Sequence, residues 1–120
     1  MTENWFLQIN KAKDMDNLED IEKKHLPIIS CPENVKKGEN FEVTIEVGKL
    51  LAHPNENTHY IDSIELFAGE IFIARTSLIP VVGHPKITLT VSLTDSQNLV
   101  ARTRCNLHGI WQYEKKVNVE

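Results

Sequence analysis

Strict alternation of apolar and polar residues is the feature that most restricts the fold of this chain. Residues 41–47 and 87–93 both alternate without a break. A period of two places every second side chain on the same face of an extended strand, so each segment has one buried and one solvent-facing side. The two segments therefore predict strands of a layered β-structure.

Several further segments have strand-like patterns and are separated by turn residues. Strands are predicted at residues 61–67, 71–75, 99–104 and 111–119, with a short one at Val35 or at residues 28–29. Residues 68–70, Ala-Gly-Glu, suit a tight hairpin between two of them. Short strands at this spacing are typical of an all-β sandwich or barrel.

Residues 1–24 form a charged lead-in to the strands. Met15, Leu18 and Ile21 follow one another at intervals of three residues within a stretch of mixed charge. This pattern is compatible with one or two helical turns and equally with a charged loop. The chain of 120 residues suits a single domain over 1–120, since domains most often have about 100–150 residues.

Charge and cysteine content exclude several classes of protein. The net charge of −4 argues against a nucleic-acid binder of the ordinary basic kind. Apolar runs are far shorter than the roughly 20 residues of a membrane helix, and the first residues lack the basic start and apolar core of a secretory signal. Two cysteines cannot build a disulfide framework, so we expect a reducing, cytoplasmic location.

Histidine and cysteine pairs at predicted strand ends point to a metal. His53 and His59 share one polar loop, and Cys105 and His108 stand where one strand ends and the next begins. A single loop histidine is usually a surface residue, and a buried cysteine packs as a small hydrophobe. Because loops of a sandwich cluster at its ends, the two pairs together predict a transition-metal site.

The number of donors indicates which metal would suit the site. With His25 included, the chain offers four imidazoles and one thiolate, which overfill the tetrahedron of a structural zinc. They suit a square pyramid with an open sixth position, a site for iron that reacts with a small ligand. A blue-copper site also uses His and Cys but wants a weak axial ligand. Neither Met1 nor Met15 is near Cys105 in the sequence, although Gln112 could substitute, so copper remains open.

Three motifs together resemble the superoxide reductases. They are Lys24-His25-x-Pro27, His53-Pro-Asn-x-x-x-His59-x-Ile61 and Cys105-Asn106-x-His108-Gly109-x-Trp111, and they span most of the chain. The closest type is the one-iron neelaredoxin class, which lacks the small rubredoxin-like N-terminal domain. The resemblance implies a seven-stranded immunoglobulin-like β-sandwich that assembles as a homotetramer, with a homodimer as the alternative.

The resemblance also implies a role for each site residue. The equatorial nitrogen ligands of a mononuclear iron would be His25, His53, His59 and His108. Cys105 would be the axial sulfur, trans to the open position, and Lys24 would attract the anionic substrate. The backbone N–H groups of the turn at residues 106–108 would hydrogen-bond the thiolate.

One position departs from the family pattern. The family usually has Glu-Lys-His-x-Pro, in which the Glu ligates the oxidised iron. Here Lys23 stands at that position and Glu22 lies one residue earlier. In an extended segment, a displacement of one residue sends the side chain to the other side, so we expect the carboxylate ligand to be missing and Glu22 to be a surface charge.

Three other residues have ordinary structural roles in this interpretation. His84 is expected to be a turn residue and Cys31 a thiol outside the site. Trp111 could wall the iron site, although an aromatic residue at a strand start is more often part of the core.

The implied reaction is one-electron reduction of superoxide to hydrogen peroxide, with electrons from a rubredoxin-like donor. No nucleic-acid or membrane partner is expected. Two other classes stay open: a blue-copper electron-transfer protein and a metal-free immunoglobulin-like binding module.

Overall fold

The structure, a computed structural model, describes residues 4–120 and is built almost entirely of β-strands. The first three residues of the predicted lead-in lie outside the described part. One helix, α1, covers Asp20–His25. The strands in chain order are β1 (Ile9–Asn10), β2 (Pro27–Ser30), β3 (Asn34–Val35), β4 (Phe41–Val47), β5 (Ile61–Ala68), β6 (Ile71–Ser77), β7 (Lys86–Val91), β8 (Gln97–Cys105) and β9 (Gly109–Val119).

The strands form two sheets that face each other. One sheet has the order β1-β9-β8-β5-β6, with β3 also paired to β9, and the other has the order β2-β4-β7. Without the two-residue strands β1 and β3, four strands stand in the first sheet and three in the second. The predicted all-β, seven-stranded immunoglobulin-like sandwich is therefore confirmed.

Alternation decides which side chains enter the core. In β4, Val43, Ile45 and Val47 are buried, and the intervening polar residues face outwards. The central strands β5 and β8 add Ile64, Leu66 and Leu99, which are wholly buried between the sheets. The hydrophobic core therefore fixes the end of β4 and the start of β5, which bound the loop of His53 and His59, and the end of β8, where Cys105 lies.

The predicted strands are present with small shifts of their ends. The alternating segment 87–93 pairs with β4 as β7, which ends at Val91, and both short candidates near residues 28 and 35 are strands. Gly69 lies in the predicted hairpin turn between β5 and β6. Within the described residues, no helix is long and apolar enough to cross a membrane.

The lead-in contains both features that its pattern allowed, an irregular segment and then a short helix. Residues 11–19 are irregular, and α1 begins only after Glu19, which has an extended backbone. Strand β1 was not predicted, because a two-residue strand has no periodicity of its own. It pairs in parallel with β9, Ile9 opposite Ile110 and Asn10 opposite Trp111, so the lead-in lies beside the start of β9.

Candidate metal centre

Four histidine rings form a closed square at one end of the sandwich. The centroid distances between neighbouring rings are 4.7 Å for His25–His53, 4.8 Å for His53–His59, 5.2 Å for His59–His108 and 5.0 Å for His108–His25. Neighbouring rings stand at 58–81° to one another. Four rings at these distances could surround one metal ion as four imidazole ligands.

The thiol of Cys105 belongs to the same cluster. Ligand atoms of His25, His53, His59 and Cys105 all lie within 4.8 Å of one another. His108 joins them through Nδ1, which is 3.8 Å from Sγ of Cys105. The structure therefore brings together all five residues that the sequence analysis singled out as metal ligands.

The imidazole nitrogens of this cluster lack the partners that burial demands. Nε2 of His25, of His53 and of His59 is buried without a hydrogen-bond partner. A buried polar atom left unsatisfied costs about 1–3 kcal/mol, so three in one place need an explanation. A metal ion bound to these nitrogens supplies it, and the mixed nitrogen and sulfur donor set suits a transition metal. The residues present thus fit a mononuclear iron, and a metal-free binding module would leave these nitrogens unexplained.

Two of the candidate ligand histidines are fixed by hydrogen bonds to backbone carbonyls. Nδ1 of His25 lies 2.7 Å from the carbonyl oxygen of Ile21, and Nδ1 of His53 lies 2.6 Å from that of Pro54. A carbonyl oxygen only accepts, so each Nδ1 carries the proton and each Nε2 is left with a free lone pair for the metal.

Burial keeps these histidines neutral. It lowers the pKa of His25 and of His53 from 6.5 to about 4, against the opposing effect of the carbonyl hydrogen bonds. Burial also lowers the pKa of His108, helped by the charges of His59 and Lys24. Neutral imidazole is the form that ligates a metal, so the site is ready to bind one at neutral pH.

The turn after β8 affects the pKa of the Cys105 thiol. Burial raises the pKa of the Cys105 thiol, while hydrogen bonds from the backbone N–H groups of Leu107 and His108 oppose that rise. The prediction that residues 106–108 all donate to the sulfur is wrong for Asn106, whose N–H donates to the carbonyl of Tyr60 at 3.2 Å. The side chain of Asn106 also bonds the backbone of Tyr60 and Thr58, which ties this turn to the loop of His53 and His59.

Glycine is required at both bends that deliver ligands. Gly48 has φ +85°, and a Cβ there would lie 2.8 Å from the backbone nitrogen of His53. Gly109 has φ +75°, and a Cβ there would collide with the backbone carbonyl of Trp5. A side chain at Gly48 would push away the backbone of His53, and one at Gly109 would push away the backbone of Trp5.

Asn55 anchors the histidine loop to a neighbouring turn. Its side chain accepts from the N–H of Val81 at 2.7 Å and donates to the carbonyls of Val81 and Gly83, both at 3.2 Å. These bonds hold Val81 at φ +70°, which is unfavourable for a β-branched residue. The sequence analysis missed this role, because an Asn after Pro in a loop has many uses.

Aromatic residues wall one side of the square. Trp111 is buried, stacks on His25 at 5.1 Å between ring centroids, and donates from Nε1 to the carbonyl of His108. It therefore serves both the core and the site, the two roles left open by the sequence. Trp5 reaches Trp111 and His108 from the lead-in, at 5.7 and 5.8 Å between centroids.

His84 and Cys31, which we expected to have no role in the metal site, lie outside it. His84 is exposed in the turn before β7, and Cys31 is a partly buried free thiol beside the core. Gln112, the candidate axial ligand of a copper site, instead bonds the side chains of Arg102 at 2.8 Å and Glu114 at 3.1 Å. The described residues thus offer no axial ligand that would favour copper.

The side chains of Lys24 and Glu22, both on α1, lie in different environments. Lys24 is half-buried, and its charge contributes to the lowered pKa of His53 and of His108. Glu22 is only 3 % exposed, so its expected place on the surface is wrong. Its carboxylate accepts from the N–H groups of Glu19 and Lys13, at 2.8 and 2.9 Å.

Known proteins resemble this chain over most of its length. The sequence model of the desulfoferrodoxin family matches residues 17–114. A Methanocaldococcus jannaschii protein, provisionally named a superoxide reductase, is 40% identical over 93% of this chain and 95% of its own. The neelaredoxin of Megalodesulfovibrio gigas is 31% identical over 78% of this chain and 86% of its own.

A solved structure has the same fold. The superoxide reductase (neelaredoxin) of Ignicoccus hospitalis superposes with a TM-score of 0.81 and 35% sequence identity, covering 93% of this chain and 95% of that one. The chain therefore belongs to the desulfoferrodoxin family, among its one-iron superoxide reductases.

Proposed function

We propose that this protein reduces superoxide to hydrogen peroxide at a mononuclear iron held by its four-histidine square and Cys105. The iron would be held by the imidazole nitrogens of His25, His53, His59 and His108 and by the sulfur of Cys105. The observation that carries the proposal is the closed square of imidazoles with a buried thiol beside it, in a chain of this family.

The reaction needs one electron and two protons for each superoxide. Iron supplies the electron by changing between Fe²⁺ and Fe³⁺. The superoxide radical anion gains that electron and two protons, and hydrogen peroxide leaves without dioxygen being formed. Everything else must come from the chain, which has to attract an anion, keep its ligands oriented and allow protons to reach the site.

Lys24 would attract the anion. The protein carries a net charge of −4, so a local positive charge must outweigh the global one. The charge of Lys24 reaches two rings of the square, His53 and His108. Either its ammonium or water would deliver protons to the site. Lys23, the preceding residue, is half-buried as well and would add to the same local positive field.

Cys105 would bind as a thiolate. The two backbone N–H groups that point to its sulfur stabilise negative charge there and reduce how much of that charge the sulfur gives to the metal. Such hydrogen bonds set the redox potential of a thiolate-ligated iron.

No carboxylate would complete the site in its oxidised state. The cluster of potential ligands in the described residues contains no Asp or Glu. Lys23 stands where the family usually has Glu, and both oxygens of Glu22 are engaged by backbone N–H groups. We therefore expect that no carboxylate of this chain would bind the oxidised metal from the open side of the site.

The electron donor, the assembly and the location belong to the proposal as well. A rubredoxin-like protein would return the iron to its ferrous form after each turnover. A homotetramer, or failing that a homodimer, is the expected assembly. A cytoplasmic location suits the free thiols of Cys31 and Cys105.

Metal analysis combined with visible spectroscopy tests this proposal. The purified protein should hold one iron per chain, and oxidation should bring up a thiolate-to-iron charge-transfer band that disappears on reduction. A protein that binds copper in preference to iron, or that binds no metal, would contradict it.

A further inference from the structure

Glu22 is a buried carboxylate that the proposed reaction does not use. It lies in the third position of α1, within a run of charged residues, yet only 3 % of it is exposed. Burying a carboxylate is costly unless hydrogen bonds compensate for lost water. Oε1 accepts from the N–H of Glu19 at 2.8 Å, and Oε2 accepts from the N–H of Lys13 at 2.9 Å.

These two bonds close the lead-in onto α1. Glu19 is the residue immediately before the helix, so its bond completes the first turn. Lys13 lies nine residues before Glu22, on the far side of an irregular segment. The carboxylate of Glu22 thereby ties residues 13 and 19 of the lead-in to α1. Both bonds are charge-assisted and so are stronger than bonds between neutral groups.

A helix as short as α1 depends on such bonds. It has six residues, fewer than the roughly 12–15 that give even marginal stability to an isolated helix in water. The contacts of Glu22 therefore decide whether the last turn of α1 keeps its geometry.

That last turn holds a metal ligand. His25 is the final residue of α1, and its Nδ1 donates to the carbonyl of Ile21, the residue before Glu22. The carbonyl of Glu22 itself accepts from the N–H of Leu26 at 2.9 Å. The carbonyl of Ile21 thus sets the tautomer of His25, and the bond between Glu22 and Leu26 closes the helical turn that carries the ring.

We propose that Glu22 is a positioning residue that orients His25 for the metal by holding α1 in place. The proposal rests on the metal centre described above and is independent of what that centre reacts with. It also gives this chain a different use for a carboxylate that stands one residue away from the family's ligand position.

Co²⁺ binding to the metal-free protein tests this role without any turnover. Affinity is measured by competition with a chelator, and the visible spectrum of bound Co²⁺ reports the ligand set. Glu22→Ala should weaken binding about 10-fold, the lower end of the range for groups bonded directly to a metal ligand, because Glu22 acts on His25 only through the backbone of α1. The spectrum per bound Co²⁺ should stay unchanged, because Glu22 is not itself a ligand.

Conservative variants separate the carboxylate from general effects of charge. Glu22→Gln keeps one acceptor oxygen and loses the other, so its affinity should lie between those of the wild type and Glu22→Ala. Asp20→Asn makes the same charge change at an exposed position of the same helix and should bind Co²⁺ as the wild type does. If Glu22→Ala fails to fold, the comparison of Glu22→Gln with Asp20→Asn decides the matter.

The ring protons of two histidines provide a readout that loss of stability alone would not produce. In NMR spectra of the folded metal-free protein, the Nδ1 proton of His25 should exchange faster in Glu22→Gln than in the wild type. The Nδ1 proton of His53 should not, because its acceptor is Pro54 and not α1.

Three results would overturn the role of Glu22. One is equal Co²⁺ affinity in the wild type and both Glu22 variants. Another is faster exchange of both histidine protons together, which would indicate general loosening. The third is a Co²⁺ spectrum in Glu22→Ala that shows a lower coordination number than in the wild type, which would make Glu22 a ligand. A wild-type protein that binds no Co²⁺ would instead refute the metal centre, and with it any positioning role.

Discussion

Nδ1 of His25 donates to the carbonyl oxygen of Ile21, four residues earlier in the same short helix, across 2.7 Å. This bond decides that Nε2, and not Nδ1, faces the other three rings of the square. The same choice is made at His53 by a different local contact, the carbonyl of Pro54. His25 and His53 are thus each oriented by their own segment, while the sandwich has to bring the two segments together.

Replacing the axial sulfur should abolish the characteristic colour of the iron protein. We expect Cys105→Ser to lose the thiolate-to-iron charge-transfer band and most superoxide reduction, because a serine hydroxyl is a poor donor to iron. Visible spectra of the oxidised protein and pulse-radiolysis rates measure both effects. Cys31→Ser is the matched control and should change neither, since Cys31 lies outside the cluster. An unchanged spectrum in Cys105→Ser would disprove the axial assignment.

Reversing the charge of Lys24 should slow the encounter with superoxide. Lys24→Glu places a negative charge where the local field must attract an anion, so the second-order rate should fall. The wild-type rate should also fall as salt rises, since charges are screened over ~10 Å at 0.1 M ionic strength. Lys37→Glu, at an exposed position beyond β3, makes the same charge change away from the histidines and should have a much smaller effect. Equal rates for both variants would mean that Lys24 does not guide the substrate.

Restoring a carboxylate at position 23 should change the ferric site. Lys23→Glu offers a ligand where the family usually has one, so the ferric spectrum should shift. In Glu22→Ala the ferric spectrum per bound iron and its pH dependence should stay as in the wild type, even though less iron is bound. Reduction of superoxide by the ferrous form should persist in Lys23→Glu, because a carboxylate at this position is not needed to bind or reduce the substrate. A crystal structure of the oxidised protein with Glu22 bonded to iron would refute this account.

The metal-free protein should lose stability as the pH falls below neutrality. Burial lowers the pKa of His25 and of His53 from 6.5 to about 4, so the unfolded chain takes up protons that the folded chain refuses. Stability from this source is complete above about pH 6.5 and is lost towards pH 4, by up to roughly 2 kcal/mol per histidine at pH 5.

Urea unfolding of the metal-free protein at pH 7.5 and pH 5 measures this loss. A variant with both His25→Gln and His53→Gln should show a smaller dependence on pH. Identical dependence in this variant and in the wild type would assign the loss to other groups.

The sandwich could be predicted because each strand is marked by the alternation of residues within its own segment. The alternation in β4 places Val43, Ile45 and Val47 in the core, and the strand has the predicted bounds. The family motifs likewise placed the four histidines and Cys105 in one site before their distances were known. The assignment of the whole chain to one domain, the ligand set and the role of Lys24 stay predictions until they are measured.

The contacts that the sequence did not reveal are those that join distant segments. Strand β1 is formed by pairing with β9, about a hundred residues later, and Ile9 and Asn10 give no local sign of it. The side chain of Asn10 donates to the carbonyls of Trp5 and Ile110, which fastens the lead-in beside the site. Glu22 lies in a charged run that predicts exposure, and its burial depends on bonds from the backbone of Glu19 and Lys13 that the pattern does not show.

The products formed from superoxide test the central claim most directly. With excess reductant and the iron-loaded protein, we expect one hydrogen peroxide for each superoxide consumed and no dioxygen. Dismutation would give half as much peroxide, with an equal amount of dioxygen. Measuring both products in one sealed reaction distinguishes the two. Peroxide at the full amount without dioxygen is the result that we predict, and dioxygen released in proportion to the superoxide consumed would contradict it.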